Sequence, residues 1–393
     1  MSAAEKILIW LLDKLEFVFD RSKFTLRRWL NHLKPIKLVP YRGHSTATRV
    51  FLKGRVLKDK KIPPASAESS IWQNLRSMFR RFNSVEIPHI EVSAILNQQR
   101  FTTTTDGEGY FSLAIESDSA ISAPKGWWTM PLEISHNPYG EQPAPIRATA
   151  VILKPPADAE FGIISDIDDT IVKTEATNLL QMLRLVLLNN SRTRLPFKGV
   201  AAFYQALHLG CRGHAANPIF YVSSGPWNMY DLLVDFMQVQ DIPPGPVFLQ
   251  DFGLGKTKFI KSIHLQHKLS VIEHILTIHR RLNFILMGDS GEKDPEIYRE
   301  VVHKYPGRIK AIYIRDVGLQ KRDLEVDAII EELGAQNVEM LRIPDTLKAA
   351  EHAAENGFIS PSALNEIRQE KEKDESAPED YELVMDKVFR NPT

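Results

Sequence analysis

Two hydrophobic textures follow one another along the chain. From about residue 36 to 155 the apolar residues come in short stretches separated by turn-forming residues: ATRVFLKGRVL (47–57), HIEVSAILNQQRFTTTTDGEGYFSLAI (89–115), GWWTMPLEI and IRATAVILK. Such stretches, rich in β-branched and aromatic residues, predict strands, and Asp106-Gly107 punctuates the second as a turn. Many short strands with turn signals predict a β-sandwich-like domain. One helix should interrupt it, SSIWQNLRSMFRRF, where Trp72, Leu75, Met78, Phe79 and Phe82 recur at helical spacing. KPPADAE (154–160) reads as the linker out. From about 161 the texture changes to continuous apolar runs between helical stretches: FGIIS, NPIFYVSS, PVFLQ, NFILMGDS and IKAIYIRD. Unbroken apolar runs between helices are what parallel strands buried on both faces look like. They predict a doubly wound α/β domain over about 156–345. Residues 346–393 read as helical and partly disordered, with RQEKEKDESAPED (368–380) as a solvated, mobile tail.

The first 35 residues form a region of their own. Ile7, Leu8, Leu11, Leu12, Leu15, Val18 and Phe19 fall on one helical face, and Arg21, Lys23, Arg27, Arg28 and Lys34 follow. Asp13, Lys14 and Glu16 interrupt the apolar run, so it is neither a signal peptide nor a bilayer-spanning helix, which needs about 20 mostly apolar residues. Either the helix rests on anionic lipid, or it packs on its own protein or on a second copy. Periodicity alone favours packing. The 393 residues carry 49 residues of each charge sign, so no global excess of positive charge argues for nucleic acid. Cys211 is the single cysteine, which forbids an internal disulfide and fits a reducing, cytoplasmic setting.

The chemistry gathers where apolar runs end. FGIISDIDDTIVKT (161–174) crowds Asp166, Asp168 and Asp169 behind a strand. Alternation along an extended chain points Asp166 and Asp168 one way and Asp169 the other. One carboxylate is thus placed to attack and a second, two residues on, to move a proton. A carboxylate attacking phosphorus makes an acyl-phosphate, which splits one hard step into two easier ones; the second protonates the leaving alkoxide, then activates water. Bringing a carboxylate to an anionic phosphate calls for a hard divalent cation, and Mg²⁺ suits. MGDSGEKD (287–294) supplies further carboxylates, Asp289 and Asp294. HKLSVIEHIL (267–276) offers Lys268 on a helix, and FYVS ends on Ser223 as a hydroxyl donor. In open parallel sheets ligands bind beyond the carboxyl ends of the strands, so Asp166, Asp168, Ser223, Asp289 and Arg315 should converge.

The order strand-DxDxT, strand-Ser, helix-Lys and strand-GDxxxxD resembles the haloacid dehalogenase phosphohydrolase superfamily. SDIDDTIVKT, YVSSGPWNMY, the HKL helix start, LMGDSGEKDPEIY and IYIRDV resemble, more closely, the catalytic domain of the actin-patch-type phosphatidate phosphatases. PYRGHSTATRVFLKGRVL and TTDGEGYF are similar to that family's N-terminal region, so the resemblance covers most of residues 38 to 358. It implies a Mg²⁺-dependent phosphomonoesterase that turns phosphatidate into diacylglycerol and phosphate, peripheral at a membrane surface. Asp166 would be the nucleophile and Asp168 the general acid/base, also touching the metal through its backbone carbonyl. Thr170 closes the first motif and Ser223 the second, with Ser224 beside it. Lys268 takes the third, with Lys256 and Lys258 in GLGKTKF as competitors. Asp289 and Asp294 become metal carboxylates.

Rival readings are weaker. A calcium loop fails because Ile171 and Thr177 stand where its glycine and bidentate glutamate belong. FGLGKT lacks the first glycine of a phosphate-binding loop, Gln250 standing there, and Glu292 replaces the last glycine of a nucleophile elbow. Arg315 can bind phosphate, although a strand-end arginine more often pairs with a carboxylate. NLLQMLRLVLLNN (178–190) reads as an insertion capping the site, buried or touching acyl chains. A phosphatase of soluble or protein-bound phosphomonoesters, and a lipid-head-group binder without turnover, are the competing functions.

Overall fold

The structure is a computed structural model that describes residues 35–59, 85–121, 123–136, 145–167, 199–250, 260–318 and 320–376. The N-terminal amphipathic segment, the helix expected near Trp72, Asp168 to Thr170, the 178–190 segment, and Lys256 and Lys258 lie outside the described residues.

The first half is all strands: β1 (Ile36–Pro40), β2 (Gly43–Ser45), β3 (Arg49–Lys58), β4 (Glu91–Leu96), β5 (Gln99–Thr104), β6 (Tyr110–Glu116), β7 (Gly126–Ile134) and β8 (Ile146–Lys154). The expected Asp106 turn is present, its Oδ1 accepting from the backbone N–H of Glu108 and of Tyr110, both at 2.9 Å. The pairing departs from the expected pair of stacked sheets. All eight strands share one hydrogen-bonded network, in the order β1-β3-β2-β8-β7-β4-β5, with β6 on β3. β5 lies against β6, so the ends of the order approach each other. The inward side chains enclose a core of their own that includes Val50, Leu52, Val92, Phe111, Met130 and Ile152.

The second half is a six-stranded sheet: β9 (Gly162–Asp166), β10 (Ile219–Pro226), β11 (Val247–Gln250), β12 (Phe284–Asp289), β13 (Ile309–Arg315) and β14 (Glu339–Ile343). Every neighbouring pair runs parallel, in the order β11-β10-β9-β12-β13-β14. The first strand in the chain therefore sits in the middle. The chain steps outward on one side to β11, then returns to the other side of β9 and steps out again. That reversal opens a crevice at the carboxyl end of β9, where such sheets bind ligands.

Helices cover both faces, as unbroken apolar strands require. On one face α1 (Val200–Leu209), α2 (Tyr230–Val239), α6 (Thr346–Glu355) and α7 (Pro361–Ser376) pack with Ile163, Tyr221, Ile285 and Tyr313. On the other, α3 (Ile260–Ile278), α4 (Asp294–Lys304) and α5 (Gln320–Gly334) pack with Ile164, Phe220, Leu286 and Ile312. Neighbours along one strand thus go to opposite layers. α7 corrects the expectation of a mobile tail from 368. The helix runs to Ser376, buries Ile367 and ties Lys371 Nζ to Asp345 Oδ2 at 2.7 Å.

The two sheets are packed together. Tyr41 and Tyr110 of the first belong to the apolar cluster under α1 and α2. His44 Nδ1 of β2 meets Nε2 of His279, just beyond α3, at 3.0 Å, both rings buried among Phe51, Phe220 and His274. Burial, joined by repulsion from the other imidazoles, holds His44 well below the usual histidine pKa and His279 at about 3; burial lowers His274 too.

Candidate active site

Asp166 ends β9 and is 1% exposed although it is a carboxylate. It is the last residue of GIISD, every member of which is buried. On the neighbouring strand, Asp289 ends β12, and the chain turns through Ser290–Lys293 into α4, which begins at Asp294. Asp289 and Asp294 are fully buried. Carboxylate oxygens of Asp166, Asp289 and Asp294 lie within 4.8 Å of one another.

Gly288 makes this closeness possible. A Cβ there would stand 2.3 Å from Asp294 Oδ2 and 2.7 Å from its Cβ. Only a residue without a side chain lets the start of α4 come so near the strand. Asp294 Oδ2 then accepts from the Asp289 backbone N–H at 3.2 Å. Asp289 Oδ1 accepts from the N–H groups of Gly291 and Glu292 at 2.6 and 2.9 Å, closing the turn.

Lys268 of α3 supplies the compensating charge. Its Nζ lies 2.7 Å from Asp166 Oδ1, 2.5 Å from Asp294 Oδ1 and 3.1 Å from Glu292 Oε2. An ammonium has three protons to donate, and here there are three carboxylate partners. Burial pulls its pKa down, but Asp166, Asp294 and Glu292 outweigh it and hold the group charged, well above its usual range. One cation does not balance the cluster. Burial, then the charge of Asp294, raises the Asp289 carboxyl to about 8, and burial raises Asp294 as well. Asp289 Oδ2 is buried without a hydrogen-bond partner among the described residues. A buried, unmatched carboxylate oxygen beside two others is the donor set of a hard divalent cation. The residues present therefore fit a metal such as Mg²⁺.

Ser223 is buried within β10, one residue past Val222, where the pairing with β9 ends opposite Asp166. Its Oγ accepts from the Gly225 N–H at 2.9 Å, and Ser224 follows half-buried. Arg315 pairs in register with Asp289 and follows Ala311 and Tyr313 in the alternation toward α1 and α6, as Asp289 follows Ile285 and Met287. Its Nη2 reaches Thr346 Oγ1 at 3.5 Å. Two residues that sequence reasoning missed support the turn. Glu292 joins the Lys268 cluster from inside the MGDSGEKD motif. Arg322 of α5 donates to the carbonyls of Ser290 and Glu292 at 3.3 and 2.7 Å and to both oxygens of Glu296. No spacing in the chain marks Arg322.

Comparison with known proteins bears on the same segment. Residues 161–316 match the family described as phosphatidate phosphatase APP1, catalytic domain. Phosphatidate phosphatase APP1 of Saccharomyces cerevisiae is 33% identical over 216 residues, 55% of this chain and 34% of that protein. An uncharacterized protein of Schizosaccharomyces pombe is 29% identical over 162 residues, 40% of this chain and 25% of the other. The chain thus spans about a third or less of the length of these relatives. A crystal structure of a carbohydrate acetylesterase from Xanthomonas citri overlaps 84% of this chain and 71% of its own at 9% identity, with a TM-score of 0.25, too low to inform the fold. The matched segment begins at Phe161, on the threshold of β9, and closes at Asp316, just past β13, so it encloses Asp166, Ser223, Lys268, Asp289 and Asp294. Over this segment the chain is similar to the catalytic domain of the APP1-type phosphatidate phosphatases.

Proposed function

We propose that the protein is a Mg²⁺-dependent phosphatidate phosphatase with a haloacid dehalogenase-like catalytic domain, working through an aspartyl-phosphate on Asp166. The observation that carries this reading is the buried Lys268–Asp166–Asp289–Asp294 cluster at the switch point of a parallel sheet. The choice of phosphatidate rests on the named activity of the yeast relative.

The Asp166 carboxylate attacks phosphorus, and the ester P–O bond breaks as the acyl-phosphate bond forms. Asp168, assigned by resemblance, gives its proton to the departing alkoxide of diacylglycerol. It then takes a proton from the water that attacks the phosphoenzyme, which releases inorganic phosphate and restores Asp166. Lys268 fixes the Asp166 carboxylate in orientation and offsets charge during both steps. Asp166, Asp289 and Asp294 would hold the cation, with the Asp168 carbonyl, and it would screen the negative charge that opposes attack on a phosphate. Ser223, with Thr170 and Ser224, would hydrogen-bond phosphoryl oxygens.

The lipid would be met at a membrane surface from the cytoplasmic side. Among the described residues no helix is long and apolar enough to cross a membrane, and the basic amphipathic segment before residue 36 is suited to an interface.

The test is phosphate release from phosphatidate in mixed micelles beside a panel of soluble phosphomonoesters, with Mg²⁺, with chelator, and with Asp166→Asn. Metal-dependent release favouring phosphatidate, lost by at least about a thousandfold in Asp166→Asn, is expected. Release from soluble esters alone would keep the chemistry and discard the lipid. Undiminished turnover by the variant would remove Asp166 as nucleophile.

A further inference from the structure

The segment Ser223–Gly225 leaves the ladder that should hold it. β10 pairs with β11 at Tyr221↔Val247 and Val222↔Phe248, and next at Pro226↔Gln250. Three residues of β10 therefore stand against one of β11. Such a bulge frees the backbone from the register of the sheet. Val222, paired with Asp166 and Phe248, holds the chain before Ser223, and beyond it the buried anchor is Trp227, joined to Ser223 by Ser224, Gly225 and Pro226.

Trp227 is 5% exposed. Its indole N–H has no hydrogen-bond partner among the described residues, so no polar contact orients the ring. Aromatic contacts do. Tyr41 lies flat on it, with centroids 4.6 Å apart and planes 10° from parallel. Tyr41 also touches Tyr230 at 4.2 Å, and the Tyr230 hydroxyl accepts from the Arg42 backbone N–H at 2.7 Å. Lys53 Nζ sits 4.8 Å from the Trp227 centroid. Tyr41, Arg42 and Lys53 all come from the β1–β3 part of the N-terminal sheet. Stacked rings and a cation over an indole each favour one ring orientation.

We infer that Tyr41 is a positioning residue of the active site: by stacking on Trp227, the N-terminal β-domain sets where Ser223 stands beside Asp166. This rests on the proposed phosphatase reading, in which Ser223 receives phosphoryl oxygens. It gives the β-domain a role in the reaction without placing any of its described residues among the carboxylates.

The experiment uses the full chain with Tyr41→Ala, Tyr41→Leu and Tyr41→Phe. Phosphate release is measured, together with binding of inorganic phosphate by calorimetry in the presence of Mg²⁺. Melting temperature confirms folding. Leu fills most of the volume without a ring; Phe keeps the ring. The expected result is at least about a tenfold fall in kcat and about fivefold weaker phosphate binding in Tyr41→Ala and Tyr41→Leu, with Tyr41→Phe within about twofold of the parent in both. If Tyr41→Ala does not fold, Tyr41→Leu decides. A folded ring-less variant with unchanged kcat and phosphate affinity overturns the inference, as does equal loss in Tyr41→Phe. If the parent hydrolyses no phosphomonoester, the phosphatase reading fails by itself, and the phosphate affinities of the variants still decide the role of Tyr41.

Discussion

At the scale of single residues, the site is held by one glycine as much as by its charges. Asp294 reaches Asp289 and Lys268 only because Gly288 has no Cβ. Gly288→Ala should push the first turn of α4 off the strand. The expected cost is about 1–3 kcal/mol of stability, as for other over-packed positions, and at least about a tenfold loss of phosphate release. Thermal melting and turnover on the same preparation check both. Asp166, Ser223 and Asp289 were readable in the sequence because each ends or directly follows an apolar run, and strand ends of a parallel sheet converge. Asp294 opens α4 five residues after Asp289, and Lys268 enters from the helix before β12. Arg322 was invisible, since its work is to hold backbone carbonyls, and a backbone carries no sequence signal.

At the scale of elements, the parallel strands were legible almost residue by residue, because a strand covered by helices on both faces must be apolar at every position, odd and even alike. The C-terminal helix was legible only in part: 346–393 read as helical, but not how far the helix runs. The charges of 368–376 read as a solvated tail, whereas they continue α7, whose inner face is carried by Ala363, Leu364 and Ile367 just upstream. Ile367 is 1% exposed, in the cluster it shares with α1 and α6. Ile367→Ala should therefore cost about 2–5 kcal/mol, the range for truncating a buried aliphatic side chain, and a denaturant titration would show it. A midpoint unchanged by this substitution would return the segment to a peripheral tail.

At the scale of the whole molecule, the joint between the sheets carries its own pH dependence. His44 and His279 are buried uncharged, with their pKa values depressed, His279 to about 3. Other charged or titratable groups at this pocket are His274 from α3 and Arg308, which donates to the His279 carbonyl at 3.0 Å; neither invites a proton. The unfolded chain takes up protons near the ordinary histidine value of about 6.5, and the folded chain does not. Stability is then complete above that value and falls as the pH drops from there toward 3, by roughly 1 kcal/mol per buried histidine per pH unit. Melting temperatures between about pH 7 and 5 should fall in the parent and fall less steeply in His279→Gln. Nothing in the sequence announced this joint, because His44 and Tyr41 meet partners almost two hundred residues away or more, and a single chain gives no sign of such pairings.

The segment matched by the family model closes at residue 316, and the folded unit does not. β14 pairs along β13 from Ala311 to Arg315, and α6 and α7 roof the layer that holds Phe161 and Tyr313. A fragment cut at the family's limits would expose a bare strand edge beside uncovered apolar surface, the combination that templates aggregation. What the family model matches is therefore smaller than what must be synthesised for it to stay in solution, and a gene fusion or trimming that respects only that segment would carry Asp166, Asp289 and Asp294 and still leave them without the fold that gathers them.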